Sequence, residues 1–397
     1  MSNPTLTSLL TKKRVLQETL LESLGERRAE LARRDYHARR KPRPCGLTVH
    51  SVIGCTGRCA YCYLPDMNVS FREARPYALS AREILLAILL NPYFLPGRWG
   101  TYLAIGSIGE PFHPIGIERT LEYMSAFAKY LRNPVQFSTK MLSERDVRRL
   151  TTFKNYPLSP LITIVKLVNW RSMEPGVLPP EDRFSTIKAL RSAGLYPFLF
   201  LRPLLPGINE DEIADILKES KRVGAVGVVI GGLRVTPLII NRLKSSGFDV
   251  NEILKRVNKS ELREKIQVPI DTADIKARVA SIARECGLVA LYSACCATTY
   301  AAYLTDGERV PCAGLCFIDK RFCAQCPVRC EEVEISVDLE EVSRYLRNAG
   351  IPVRSVNLDG FNIVVEADNP KRSRNKLRRS SVKTLIETAY RRRLIVG

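Results

Sequence analysis

The chain has 397 residues, 45% hydrophobic and 26% charged, which is enough apolar material to bury full cores and argues against a disordered polypeptide. Lys and Arg number 61 against 41 Asp and Glu, and the resulting formal charge of +20 attracts polyanions, nucleic acid first among them, unless it is only a solvated basic surface. No apolar run approaches the ~20 residues of a membrane span, and no signal-type apolar stretch precedes Lys12-Lys13-Arg14, so the expectation is a cytoplasmic protein with no membrane association.

Residues 1–44 read as a basic helical arm, with Leu9, Leu10, Leu16, Leu20, Leu21 and Leu24 at helical spacing among arginines. From Leu47 onward, short β-branched runs alternate with amphipathic stretches. Strands are expected near 47–53, 101–107, 135–140, 161–167, 197–202 and 226–230, and helices near 80–90, 116–132, 143–152, 181–193, 209–223 and 272–285. The fold class is α/β, a partial (β/α)6-type TIM barrel over residues 45–290, whose reactive groups belong at the C-terminal ends of the strands. A Cys-rich metal-binding segment follows over 291–332. A small basic α+β tail over 333–397 closes the chain, with strands expected at 334–337 and 361–365 around a helix near 339–349.

The cysteines are clustered, which in a reducing compartment points to metal. Cys55-x3-Cys59-x2-Cys62 follows the first predicted strand and lies on one loop. Three thiolates so spaced hold three irons of a [4Fe-4S] cubane and leave the fourth iron open. S-adenosylmethionine (SAM) can chelate that iron through its amino and carboxylate groups, and one-electron cleavage then yields a 5′-deoxyadenosyl radical. A zinc site is the alternative, with His50 or Cys45 as fourth ligand. Tyr61, just before the third cysteine, would shield the cluster or pack near adenine.

With this triplet the sequence resembles the radical S-adenosylmethionine superfamily, and within it the spore photoproduct lyase-like (DNA repair photolyase-like) branch. The resemblance spans about residues 46–290. It rests further on Ser107-Ile108-Gly109-Glu110-Pro111, on Phe137-Ser138-Thr139-Lys140 followed by Ser143-Glu144-Arg145-Asp146, on Glu174-Pro175 with Arg183, on Leu201-Arg202-Pro203 through Asn209, and on Gly232-Leu233-Arg234. It implies that Cys55, Cys59 and Cys62 are the cluster ligands and that Glu110 accepts the methionyl ammonium. Lys140 would pair with the methionyl carboxylate. Gly109 would admit a close backbone approach or simply turn the chain, Ser138 would border the cofactor, and Arg202 would face the cavity or pair with a structural carboxylate. An electron donor such as ferredoxin or flavodoxin is the expected partner. Ser107-Ile108-Gly109-Glu110 stands where that branch commonly has a Thr-Asp pair, and the basic arm and tail lie outside the shared core. The lyase's substrate therefore does not simply transfer. Cys45, ahead of the first strand, is a candidate radical-quenching hydrogen donor or an ordinary buried thiol.

A second set, Cys312, Cys316, Cys323, Cys326 and Cys330, exceeds the needs of one metal and fits a second Fe-S cluster or a zinc site, with disulfides a further alternative. Around it, Phe317, Phe322 and Phe361 offer faces for base stacking, unless they are core. The terminal Lys and Arg run, Arg391, Arg392 and Arg393 included, is nearly unopposed by acids and suggests phosphate contacts. The expected function is hydrogen abstraction by a SAM-derived radical from a substrate, DNA or RNA first. The rivals are a non-catalytic zinc protein that binds nucleic acid and a radical enzyme acting on a peptide or small molecule.

Overall fold

Seven parallel strands form the central sheet of the computed structural model, which describes residues 3–43, 46–320, 322–324 and 326–397. In chain order they are β1 (Leu47–Val49), β2 (Leu103–Ile105), β3 (Val135–Thr139), β4 (Leu158–Thr163), β5 (Phe198–Leu204), β6 (Gly227–Gly232) and β7 (Val289–Leu291), each hydrogen-bonded to the next. Several have only three residues, yet they hold because both faces are covered. β4, for example, is buried at all of its positions, as expected for a strand inside a parallel sheet. The arrangement is the partial barrel read from the periodicity, extended by β7, which the sequence pattern does not separate from the helix before it.

Helices α1 (Leu6–Leu24) and α2 (Glu26–Arg34) form the N-terminal arm. Crossover helices α3 (Ala81–Leu90), α4 (Ile117–Ala126), α5 (Pro180–Ser192), α6 (Ile213–Arg222), α7 (Pro237–Ser245) and α8 (Ala273–Glu285) follow. The start of α3 is fixed by a capping box, in which the Ser80 hydroxyl accepts from Glu83 N and the Glu83 carboxylate accepts from Ser80 N. The apolar faces of α3, α4, α5, α6 and α8 share one core with Leu47, Leu103, Val135, Ile162, Leu199 and Ile230.

Helix α9 (Ala294–Asp306) was not anticipated, and it lies against the barrel's other face. Its Cys295, Cys296, Ala297 and Ala301 pack with Leu161, Phe198, Val229 and Leu291. Its polar groups also find partners there: Tyr102 Oη and Thr299 Oγ1 are 2.8 Å apart, and Thr298 Oγ1 donates to Gln136 Oε1 at 3.0 Å. The Cys-rich segment is thereby anchored inside the barrel.

The tail consists of α10 (Leu339–Asn348), strands β8 (Val353–Asp359) and β9 (Asn362–Ala367), helices α11 (Pro370–Arg379) and α12 (Val382–Tyr390), and β10 (Arg393–Val396). β8 and β9 pair antiparallel, and β10 joins β9 in parallel. The strand expected at 334–337 is irregular chain; β8 and β10 supply the missing edges. Arm and tail share a core in which Leu6 and Leu9 meet Leu346, Ile363, Leu385, Ile386 and Leu394. The Glu341 carboxylate on α10 accepts from Leu6 N at 2.8 Å and Thr7 N at 2.7 Å, satisfying donors that α1 leaves open at its N-terminus. Among the described residues no helix is long and apolar enough to cross a membrane.

Candidate radical site and thiolate clusters

The Cys55–Cys62 loop leaves the barrel just after β1 and is fixed by backbone contacts to two other segments, one at 108–109 and one at 173–176. Gly54 pairs with Gly109 as an isolated parallel bridge, and Gly54 N donates to Ile108 O at 2.9 Å. Ala60 N donates to Met173 O at 2.9 Å and Gly176 N to Gly57 O at 3.1 Å. Glycine is required at two of these crossings. A Cβ on Gly109 would stand 2.3 Å from Val52 O, and one on Gly176 would stand 2.2 Å from Thr56 O.

The side chains converge on the same place. Cys59 is buried, while Cys55 and Cys62 are half-buried. Burial pushes the Cys55 thiol up to about 11 and raises Cys59 and Cys62 as well. Lys140, at the end of β3, places its Nζ over the Tyr61 ring, 5.4 Å from the centroid. Burial opposes its charge, but Cys59, Glu174, Glu110 and Cys62 more than offset that, and its pKa lies above the ordinary lysine value.

The buried Glu110 carboxylate accepts from the Thr139 hydroxyl, from Lys140 N at 3.1 Å and from Phe112 N at 3.2 Å. Burial raises its pKa, and these donors pull it back toward the ionised form. Beneath the loop, the Tyr61 hydroxyl donates to Glu174 Oε1, and Arg183 NH1 stands 2.7 Å from Glu174 Oε2 with both side chains essentially inaccessible. The Arg183 guanidinium also donates to Thr163 O at 2.8 Å, which ties the pair to β4.

The remaining expected residues fall nearby or elsewhere. Ser138 is half-buried on β3. Arg202 is exposed near the end of β5, its stem fitted against Gly231, where a Cβ would come within 2.5 Å of it; no ion pair engages it among the described residues. His50 packs in a group with His37, Arg40 and Tyr77. Cys45 lies outside the described residues. Tyr63, whose hydroxyl donates to Ser107 O, joins the loop to the end of β2 and was not singled out by its spacing.

No disulfide joins any of the eleven described cysteines. Among the described residues, the group whose ligand atoms all lie within 4.8 Å of one another is Cys295, Cys296 and Cys312; the Cys55 loop does not meet that spacing. Its three sulfurs therefore do not all lie within 4.8 Å of one another. The second set also differs from the expected one. Cys312, Cys316, Cys323, Cys326 and Cys330 do surround one small cavity, but Cys296, from the far side of the sequence gap, lines it with them.

A sequence profile described as the Radical SAM superfamily matches residues 49–220, the stretch that carries the Cys55 loop, Glu110, Lys140 and the Glu174–Arg183 pair. This stretch is similar to the radical SAM superfamily. The similarity implies a [4Fe-4S] cluster and SAM for this stretch. Curated relatives include the radical SAM Nα-GlyT isomerase of Pseudomonas phage M6, 25% identical over 199 residues that cover 48% of this chain and 40% of that protein. The GTP 3′,8-cyclase of Microcystis aeruginosa is 28% identical over 182 residues, covering 43% of this chain and 50% of the relative. Among solved structures, a spore photoproduct lyase mutant aligns with a TM-score of 0.48 at 16% identity, over 61% of this chain and 75% of that one. The chain spans less than two thirds of the length of the curated relatives just named.

The tail does not present its charge as the sequence suggested. Arg391 is fully buried, Arg392 is buried and stacks on Phe361 at 5.2 Å, and Arg393 pairs with Asp319 at 2.9 Å. Phe317 is buried edge-on against Phe361, with centroids 5.5 Å apart, so these two rings are core. The exposed charge lies instead on α11, where Lys371, Arg372, Arg374, Lys376, Arg378 and Arg379 all face solvent.

Proposed function

We propose that this chain is a cytoplasmic radical SAM enzyme of the spore photoproduct lyase-like branch, acting on nucleic acid. The observation that carries the radical chemistry is the convergence of three unpaired, spread thiols with Glu110 and Lys140 at the C-terminal ends of β1, β2 and β3. Cys55, Cys59 and Cys62 would hold the cluster, with Glu110, Lys140, Ser138, Gly109 and Tyr61 around SAM. When bound, the two groups supply one-electron cleavage of SAM and hydrogen abstraction from the substrate.

The chain's own residues position and neutralise. Lys140 offsets negative charge gathered on the thiolates or on the methionyl carboxylate. Oε2 of Glu110 accepts from Lys140 N and retains acceptor capacity toward an ammonium. Glu110→Ala should leave the cluster's absorbance intact while weakening SAM binding, and isothermal titration of the reconstituted protein reads it. Equal affinity in both proteins would remove Glu110 from the SAM site.

Nucleic-acid binding is supported by a cavity of about 650 Å³ between the tail, the Cys-rich segment and the entrance of β1, at the end of the barrel away from the Cys55 loop, lined by Lys41, Arg43, Arg374, Arg378, Lys383 and Arg393 with Glu387 as the acid. Arg374 and Arg378 are one helical turn apart, and among the described residues no carboxylate pairs with Lys41, Arg43, Arg374 or Arg378. Anaerobic reconstitution with dithionite and SAM tests the chemistry through 5′-deoxyadenosine. Binding of single- and double-stranded DNA and RNA across a salt series tests the partner. Each phosphate contact contributes about 0.7–0.9 to the log–log salt slope, so Arg374→Ala with Arg378→Ala should flatten it by about 1.4–1.8. An unchanged slope would leave the cavity without a role in phosphate binding and favour a peptide or small-molecule substrate. The electron donor would be a ferredoxin or flavodoxin.

A further inference from the structure

Cys295 and Cys296 open α9 immediately after β7, and Cys312 follows the helix on the return of the chain. All three are buried with their sulfurs inside 4.8 Å of one another. Cys316, Cys323, Cys326 and Cys330 stand around the adjoining cavity of about 20 Å³. Four thiolates on one tetrahedral ion, with metal–sulfur bonds near 2.3 Å, stand about 3.8 Å apart, so the inner trio already has the spacing of a coordination shell.

An independent observation comes from Arg391. Its guanidinium is completely inaccessible, and its donors go to carbonyls, Nε to Pro311 O at 3.0 Å, NH2 to Gly100 O at 3.1 Å and NH1 to Thr388 O. Among the described residues no carboxylate pairs with it. The groups within its electrostatic reach are Tyr102, Cys312, Cys330 and the like-charged Arg98. A guanidinium stays protonated at any accessible pH, and a buried cation without an anion is strongly unfavourable. The Tyr102 ring faces it at 5.7 Å from the centroid but carries no full charge, so of these groups the sulfurs are the ones that metal binding would make anionic. Thiolates around a divalent ion, or around an iron–sulfur core, outweigh the metal's charge and leave the complex anionic.

We infer that these cysteines hold a second metal centre, an anionic thiolate complex with Cys312 at its middle, and that Arg391 is its buried counter-charge. On coordination each thiol releases its proton to solvent, and the thiolate–metal bond replaces the S–H bond. Because the partners of Arg391 belong to the approach to β2, the Cys-rich segment and α12, the centre ties the barrel's inner face to the tail.

The test uses the full chain with Cys55, Cys59 and Cys62 all changed to Ala, which removes the radical cluster and leaves the second set intact. Purified anaerobically, it should retain about one centre per chain, read either as zinc or as iron with matching acid-labile sulfide. The zinc arm assigns a single ion and the iron arm a cluster, and adding Cys312→Ser should abolish both. Folded protein holding neither metal would overturn the centre. In the same background Arg391→Met should release its metal to a chelator at least about tenfold faster, whereas Arg391→Lys, which keeps the charge, should stay close to the parent. Arg391→Gln replaces the Met variant if circular dichroism shows that one unfolded. Equal release rates with and without the charge would overturn the role of Arg391.

Discussion

Replacement of Cys55, Cys59 or Cys62 by alanine should reduce 5′-deoxyadenosine formation to the level of the cluster-free protein. The three sulfurs sit on one loop after β1, and the loop's backbone is committed to Ile108, Met173 and Gly176, so no neighbouring thiol swings in as a substitute. Loss of one thiolate opens a second iron, and a cubane with two unprotected irons is lost to solvent and oxidant. The measurement is product yield per chain under dithionite, with iron content alongside. A variant that keeps the wild-type yield would remove that cysteine from the ligand set. The second thiolate set, held on the opposite face of the barrel sheet by α9, should keep its own metal in all three variants.

The Cys55 loop could be read in the sequence because its pattern is local: three thiols within eight residues need no knowledge of the fold to be singled out. The alternation of β-branched runs with amphipathic helices gave six of the barrel strands for a similar reason, since burial on both faces leaves a continuous apolar mark. What escaped depends on contacts between distant segments. Cys295 and Cys296 join Cys312 only because α9 folds back onto β3, β4 and β6. β7 is three residues long and merges with the end of α8 in the hydrophobic pattern. Charge counting treated Arg391 like Arg378, although one lies under α12 and the other on a solvated helix face. Composition carries no sign of burial, and only the packing of β10 beside β9 separates the two.

The second large effect is expected at the ion pair under the cluster loop. Glu174 and Arg183 are 2.7 Å apart and both essentially inaccessible, so neither charge has water to fall back on. Arg183→Met removes the cation and leaves the Glu174 carboxylate alone in the core, a change that costs about 3–5 kcal/mol in buried pairs. For a barrel of this size, that corresponds to a fall of roughly 6–20 °C in the thermal midpoint. Arg183→Met combined with Glu174→Gln should recover much of the loss, because no charge then stays buried and the Gln carbonyl can still accept from Tyr61. The effect reaches the radical site through that tyrosine. Its hydroxyl bonds to Glu174 while its ring lies under Lys140, so a displaced Glu174 frees the segment that carries Cys59 and Cys62. Iron retained per folded chain after reconstitution should therefore fall in Arg183→Met and return in the double variant. Differential scanning and iron analysis on the same preparations check both halves. A single variant that melts with the wild type would show that the pair contributes no net stability, and one that melts lower but holds its iron would uncouple the pair from the loop.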